Sequence, residues 1–128
     1  MRVLLINTNQ KTDLLAAPPL GLCYVASAAE AAAHEVRVLD LCFAGRRTNT
    51  VLEKAIRAFN PQAIGLSIRN IDNVNLLYPI WYLPPIRELV RTIRRVTKVP
   101  IAVGGPAVSL LPEDLFRFLE PDGVFVSN

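Results

Sequence analysis

With 128 residues, 52% of them hydrophobic and 20% charged, the chain has the size and apolar content of one packed domain, which excludes a disordered segment. No apolar run reaches the roughly 18 residues needed to span a bilayer, and residues 1–7 hold one basic residue and too short an apolar stretch for a signal peptide. The net charge of +3 is mild and lacks aromatic interleaving, so the expectation is a cytoplasmic protein with no membrane and no nucleic-acid partner.

The run at residues 2–7 is apolar without alternation, as suits a central strand covered on both faces, and it ends at Asn7. Residues 8–19 hold Asn9, Gln10, Lys11, Asp13 and Pro18-Pro19, a long loop over the sheet's carboxyl edge. Residues 20–33 read as a helix, with Leu22, Val25, Ala26 and Ala29 at helical spacing and small residues that permit close packing on a sheet. An alternating strand at residues 36–41 follows, which puts His34 at its amino end as a turn or capping residue. After a turn at residues 45–49 comes a helix at 51–59, for which Thr48 or Asn49 supplies the cap and Asn60-Pro61 the stop.

Residues 63–68 form the third strand. Residues 69–85 are polar, then aromatic, and Tyr78, Trp81 and Tyr82 are expected under the helices, at a surface that another domain covers, or in a locally folded lid. A helix at 86–97 presents Arg87, Arg91, Arg94 and Arg95, with Lys98 after it, as a solvated face. A strand at 99–103 precedes a helix opened by Pro112-Glu113-Asp114-Leu115, and residues 124–126 form the fifth strand. Alternating strands and helices with short connections imply right-handed crossovers and an α/β fold. The expected architecture is a doubly wound five-stranded parallel sheet, flavodoxin-like (Rossmann-like), strand order 2-1-3-4-5, as one domain over residues 1–128.

In such a sheet the ligand sits outside the carboxyl ends of the strands. There Pro100-Ile101-Ala102-Val103 stops at Gly104-Gly105-Pro106, and Gly65-Leu66-Ser67-Ile68 stops at Arg69-Asn70. Paired glycines let a ligand lie against the backbone, and they also serve simply to turn the chain. Cys23 and Cys42 have no metal-ligand spacing, so neither a zinc nor an iron–sulfur site can be built from this chain, and both read as buried free thiols. A phosphoacceptor receiver needs acids after the first strand, Asp after the third and Lys after the fifth. Asn7-Thr8, Ser67-Ile68 and Ser127-Asn128 stand there instead. A flavodoxin needs a glycine-rich phosphate loop after the first strand, and residues 8–12 offer hydroxyls without glycine.

Four segments in order, Pro18-Pro19-Leu20-Gly21-Leu22, Ala33-His34-Glu35-Val36-Arg37-Val38-Leu39-Asp40, Gly65-Leu66-Ser67-Ile68-Arg69-Asn70-Ile71-Asp72-Asn73, and Val103-Gly104-Gly105-Pro106 with Pro112-Glu113, resemble the amino-terminal cobalamin-binding domain of cobalamin-dependent radical SAM enzymes. The resemblance implies a corrinoid over the carboxyl edge with its nucleotide tail in a groove beside the sheet. Ser67 and the Gly104-Gly105 backbone would meet the tail, and Arg69, Asn70 and Asp72 would lie near the ring or a partner domain. Asn7, Gly21, Ile68, Pro106 and Ser127 complete the expected cofactor-binding set, with Leu14 or Leu15 beneath the ring. The resemblance implies that the cofactor's own base is displaced into the groove, the base-off state, and because the D-x-H-x-x-G motif that supplies a cobalt-ligating histidine in other cobalamin domains is absent, no histidine ligand is expected.

Where the family usually has glycine this chain has Ala33, an expected cost of about 1 kcal/mol if the left-handed turn is kept. The chain is expected to be a truncated amino-terminal part of a larger, methyltransferase-like radical SAM protein, with a catalytic domain in cis. Any 4Fe-4S cluster and S-adenosylmethionine would belong to that other domain, and this chain has no catalytic residues of its own. The alternative is a flavodoxin-like domain without cobalamin, serving as a scaffold or interaction module or binding a flavin or nucleotide.

Overall fold

A computed structural model describes residues 1–11 and 16–126. In chain order it contains β1 (Arg2–Asn7), α1 (Leu20–Ala31), β2 (Glu35–Asp40), α2 (Thr48–Phe59), β3 (Ala63–Ser67), α3 (Leu83–Val96), β4 (Ile101–Gly104), α4 (Pro106–Leu110), α5 (Pro112–Leu119) and β5 (Gly123–Val124). The strands form one parallel sheet in the order β2-β1-β3-β4-β5, as expected.

The helices divide unequally between the two faces. Leu4 and Ile6 of β1, Ile64 and Leu66 of β3, and Ile101 and Val103 of β4 point to one side, where Leu52 and Ile56 of α2, Ile86, Leu89, Val90 and Ile93 of α3, and Leu115 and Leu119 of α5 bury them in the main core. The α3 residues recur at helical spacing, so one apolar stripe faces the sheet and the arginines face outward. On the other side Leu5 meets Leu22 and Ala26 of α1 in a small separate core flanked by Val3 and Val36.

Four local expectations are corrected. Helix α1 ends at Ala31 rather than residue 33, and its turns expose Val25 and Cys23, so only Cys42 is a buried thiol. Thr48 does not cap α2 but lies in its first turn, where its hydroxyl reaches the Gly45 carbonyl at 2.7 Å. Helix α3 begins at Leu83, because Pro84 and Pro85 occupy its first turn, where a missing N–H is harmless. Helix α4 was not anticipated: its five residues follow directly on Gly105.

Candidate functional site

The strand registers build the site. On the α1 side, the last row at the carboxyl edge runs Asp40, Asn7, Ser67, Gly104 across β2, β1, β3 and β4. One row inward lie Val38, Leu5, Gly65, Ala102 and Gly123. Large aliphatic side chains therefore stop at β1, where α1 covers them. From β3 to β5 this face carries Ala63, Gly65, Ser67, Ala102, Gly104 and Gly123, all half-buried, with Leu5 reaching over Gly65 and the exposed Phe125 beside Gly104 just after β5. A parallel sheet normally has both faces covered. Here, among the described residues, α1 is the helix packed on this face, and a trough floored by small side chains is left beside it.

The two glycines at the end of β4 differ in role. A Cβ on Gly104 would lie 3.5 Å from that of Phe125, an ordinary contact. Gly105 has φ +104, and a Cβ there would come within 2.7 Å of the Ile68 carbonyl oxygen. The chain folds this tightly because Ile68 donates its N–H to the Gly104 carbonyl at 2.8 Å and accepts from the Ala107 N–H at 3.2 Å. Gly105 is thus required by backbone packing within the protein, whatever binds nearby.

A second feature lies at the point where the strand order reverses, between β1 and β3, the usual ligand crevice of this topology. A cleft of about 230 Å³ opens there between the loops after β1 and β3 and the start of α3, with Gln10, Lys11, Arg69, Asn70 and Tyr82 in its wall. The Lys11 ammonium stands 5.1 Å over the Tyr82 ring, joining one loop to the other. Among the described residues neither Lys11 nor Arg69 has a carboxylate partner. A larger hollow of about 580 Å³ is lined by Asn49, Thr50, Glu53, Lys54, Arg57 and Ala58, the outer face of α2 alone, and is no enclosed site.

The loop after β3 is ordered by its own side chains. Asn73 Oδ1 accepts from the N–H groups of Asn75 and Ile80 while its Nδ2 donates to the Tyr78 carbonyl. Asn75 Oδ1 accepts from Leu77 and Tyr78, and Asp72 Oδ1 from Val74, which has φ +55. This frame leaves Val74, Leu76, Leu77, Tyr78, Ile80 and Trp81 exposed, Leu76 at 98%. Only Tyr82 of the three expected aromatics is half-buried; Tyr78 and Trp81 do not pack under the helices.

Asn7, Ser67 and Gly104 thus share one row, and Arg69 and Asn70 line the cleft. Ile68 is fully buried in the main core, and Asp72 is engaged within its own loop. Gly21 lies in the exposed first turn of α1, and Pro106 opens α4 at the surface. Leu14, Leu15 and Ser127 fall outside the described residues. Lys11, Asp40 and Ala102 were not singled out from the sequence as site residues, and Tyr82 was singled out only as one of the loop's aromatics. The alternation of large and small residues in Ala63-Ile64-Gly65-Leu66-Ser67 and Ile101-Ala102-Val103-Gly104 was the available signal for the trough.

His34 lies at the amino edge, its Nδ1 3.3 Å from the chain's amino group, as expected. Burial, and then the nearby Asp40 charge, push the Cys42 thiol up from its ordinary value, which disfavours a reactive thiolate. The arginines of α3 are engaged locally: Arg91 with Glu88, Arg94 with Asp122, and Arg87 over the Phe118 ring. Among the described residues no group of three or more His, Cys, Asp or Glu could hold a metal ion, and no helix is long and apolar enough to cross a membrane.

A family model described as "B12 binding domain" matches residues 11–127. The chain is 33% identical over 110 residues to the tryptophan 2-C-methyltransferase of Streptomyces laurentii, a match covering 86% of this chain and 18% of that protein. It superimposes with a TM-score of 0.89 and 31% identity on the radical S-adenosylmethionine methyltransferase TsrM of Kitasatospora setae, solved with cobalamin and a [4Fe-4S] cluster bound. A second structure of TsrM, with tryptophan and a SAM analogue bound, matches equally. These matches cover 96% of this chain and 22% of TsrM, so the chain spans about a fifth of the relatives' length.

Proposed function

The chain belongs to the B12-binding domain family, and from that premise we propose that it is the cobalamin-holding module of a radical SAM enzyme. The observation that supports this most is the trough. On the α1 side, β3 and β4 present small side chains alone, at Gly65, Ser67, Ala102 and Gly104, leading to the carboxyl edge. Small residues at Ser67, Ala102 and Gly104 suit a flat or elongated organic group better than a further layer of large side chains, whereas Gly65 makes room for Leu5, whose Cδ2 lies 2.7 Å from where a Gly65 Cβ would stand.

The cofactor's nucleotide tail would lie over Ser67, Ala102 and Gly104. Its ring would lie over the edge, against the loops after β1 and β3 that carry Lys11, Arg69 and Asn70. The Ser67 side chain is half-exposed on the trough floor, available to a polar group of the tail. When bound, cobalamin supplies the cobalt-centred transfer chemistry. This chain binds it, orients it and keeps one side of it from water.

The base-off state, which rests on the resemblance, is part of the same proposal, and so is the lack of a histidine ligand, because His34, the only histidine, is at the amino edge. So is a radical SAM catalytic domain in cis. The exposed apolar run Val74, Leu76, Leu77, Tyr78, Ile80 and Trp81 leaves the carboxyl edge next to the cleft, and patches of this kind mark interaction sites. The test is to mix the purified chain with hydroxocobalamin and pass it over a sizing column. Co-elution of the red chromophore near one equivalent is expected, with quenching of Trp81, the single tryptophan. A colourless protein peak would overturn the proposal.

A further inference from the structure

At the edge, Asn7, Thr8, Gln10 and Lys11 each reach out to a different element. Asn7 Nδ2 donates to Asp40 Oδ1 at the end of β2 at 2.9 Å, and Asn7 Oδ1 accepts from the Asn9 N–H at 3.3 Å. The Thr8 hydroxyl donates to the Ser67 carbonyl at the end of β3 at 2.7 Å. Gln10 Oε1 accepts from the Thr48 hydroxyl at the start of α2 at 3.1 Å, and Lys11 stands over Tyr82 just before α3. Backbone pairing ends with the Leu41 N–H on the Asn7 carbonyl at 3.2 Å and the Thr8 N–H on the Ser67 carbonyl at 3.3 Å, and side chains help set the direction in which the segment leaves the sheet from there.

Asn7 is the origin of that segment. It is 4% exposed, and both ends of its amide are used inside the protein, so it has little left to offer a ligand. Its partner Asp40 also accepts from the Cys42 N–H at 3.0 Å, so one carboxylate oxygen ties the end of β1 to the turn after β2. A carboxylate acceptor makes such bonds stronger than neutral ones. Resting on the cobalamin reading, we propose that Asn7 and Asp40 are a positioning pair. They touch no ligand, and they fix the segment 8–11 at the strand-order reversal so that the cofactor edge is formed before binding.

The donor and acceptor pattern permits a test by a disruptive and a conservative replacement. Asn7→Asp places two carboxylates against each other and removes the only donor between them. Asp40→Asn keeps both bonds and removes only the charge, because one amide oxygen can accept from Asn7 Nδ2 and from the Cys42 N–H. Two readouts are taken at pH 8: hydroxocobalamin affinity by Trp81 fluorescence, and amide hydrogen exchange of Asn9 and Cys42, which needs no cofactor.

Asn7→Asp is expected to weaken cobalamin by about tenfold or more, the scale of losing one charge-assisted hydrogen bond. It should also accelerate exchange at both amides. Asp40→Asn should leave both readouts within about threefold of the parent, since the bonds stay and only the acceptor's charge is lost. Unchanged cobalamin affinity in Asn7→Asp, or an Asp40→Asn chain whose amides stay protected while its cobalamin affinity falls about tenfold or more, would overturn the positioning role. A parent chain that binds no cobalamin would overturn the functional reading instead, and the amide exchange would still report whether the pair orders the segment.

Discussion

At the scale of single residues, Gly105 and Ala102 separate what holds the fold from what leaves room at the site. A methyl group on Gly105 would meet the Ile68 carbonyl oxygen at 2.7 Å and sit at φ +104. Gly105→Ala is therefore expected to lower the unfolding free energy by about 1–3 kcal/mol in a urea titration. Ala102 lies half-exposed on the trough floor in register with Gly65 and Gly123. Ala102→Leu should leave the unfolding free energy within about 1 kcal/mol of the parent, as for other substitutions away from the core, yet abolish retention of cobalamin on a sizing column. Asp122 gives a pH-dependent case. Its Oδ2 accepts from the Ile101 N–H at 2.7 Å and from Arg94 Nη2 at 2.6 Å, and these hold its carboxyl below the ordinary value. A carboxyl depressed in the folded state adds stability that is complete above the unfolded value of about 3.9 and is lost as pH falls through the folded one. Asp122→Asn should therefore lower the melting temperature at pH 7 and lose less of it than the parent between pH 5 and pH 2, ranges set by that unfolded value of about 3.9.

At the scale of elements, α1 stops with a geometry that usually falls to glycine. The His34 N–H donates to the Ala29 carbonyl and the Ala33 N–H to that of Glu30, the bond pair of a Schellman motif, and Ala33 takes φ +63. The left-handed cost expected for alanine at this position is therefore present in the fold. Ala33→Gly should raise the unfolding free energy by up to about 1 kcal/mol, the strain relieved less the added freedom of the unfolded chain. Because the turn lies at the amino edge beside His34, cobalamin affinity should not change. The loop after β3 shows the opposite economy. Its asparagines order the backbone while its apolar side chains stay exposed, so the surface exists before any partner meets it.

At the scale of the whole molecule, the sheet sets the distance between the single imidazole and the site. His34 precedes a six-residue strand, and at about 3.3 Å per residue the rise of β2 puts it about 20 Å from the carboxyl edge. Cob(II)alamin bound to the chain should give an electron paramagnetic resonance spectrum without nitrogen superhyperfine splitting from an axial ligand. Splitting from the cofactor's own base, or splitting abolished by His34→Ala, would refute the base-off reading. The strand order, the edge that gathers Asn7, Ser67 and Gly104, and the exile of His34 were legible in the sequence. Strand-and-helix alternation with short connections permits few topologies, and the parity of a strand fixes which residues share a face. The sequence did not reveal the bare half of the α1 face, the cleft between Lys11, Arg69 and Tyr82, or the closure of Asn7 by Asp40. These depend on which strands become neighbours and on which side each helix packs. Both are settled by contacts between segments 33 to 59 residues apart, such as Asn7 with Asp40 and Thr8 with Ser67, which no local pattern records.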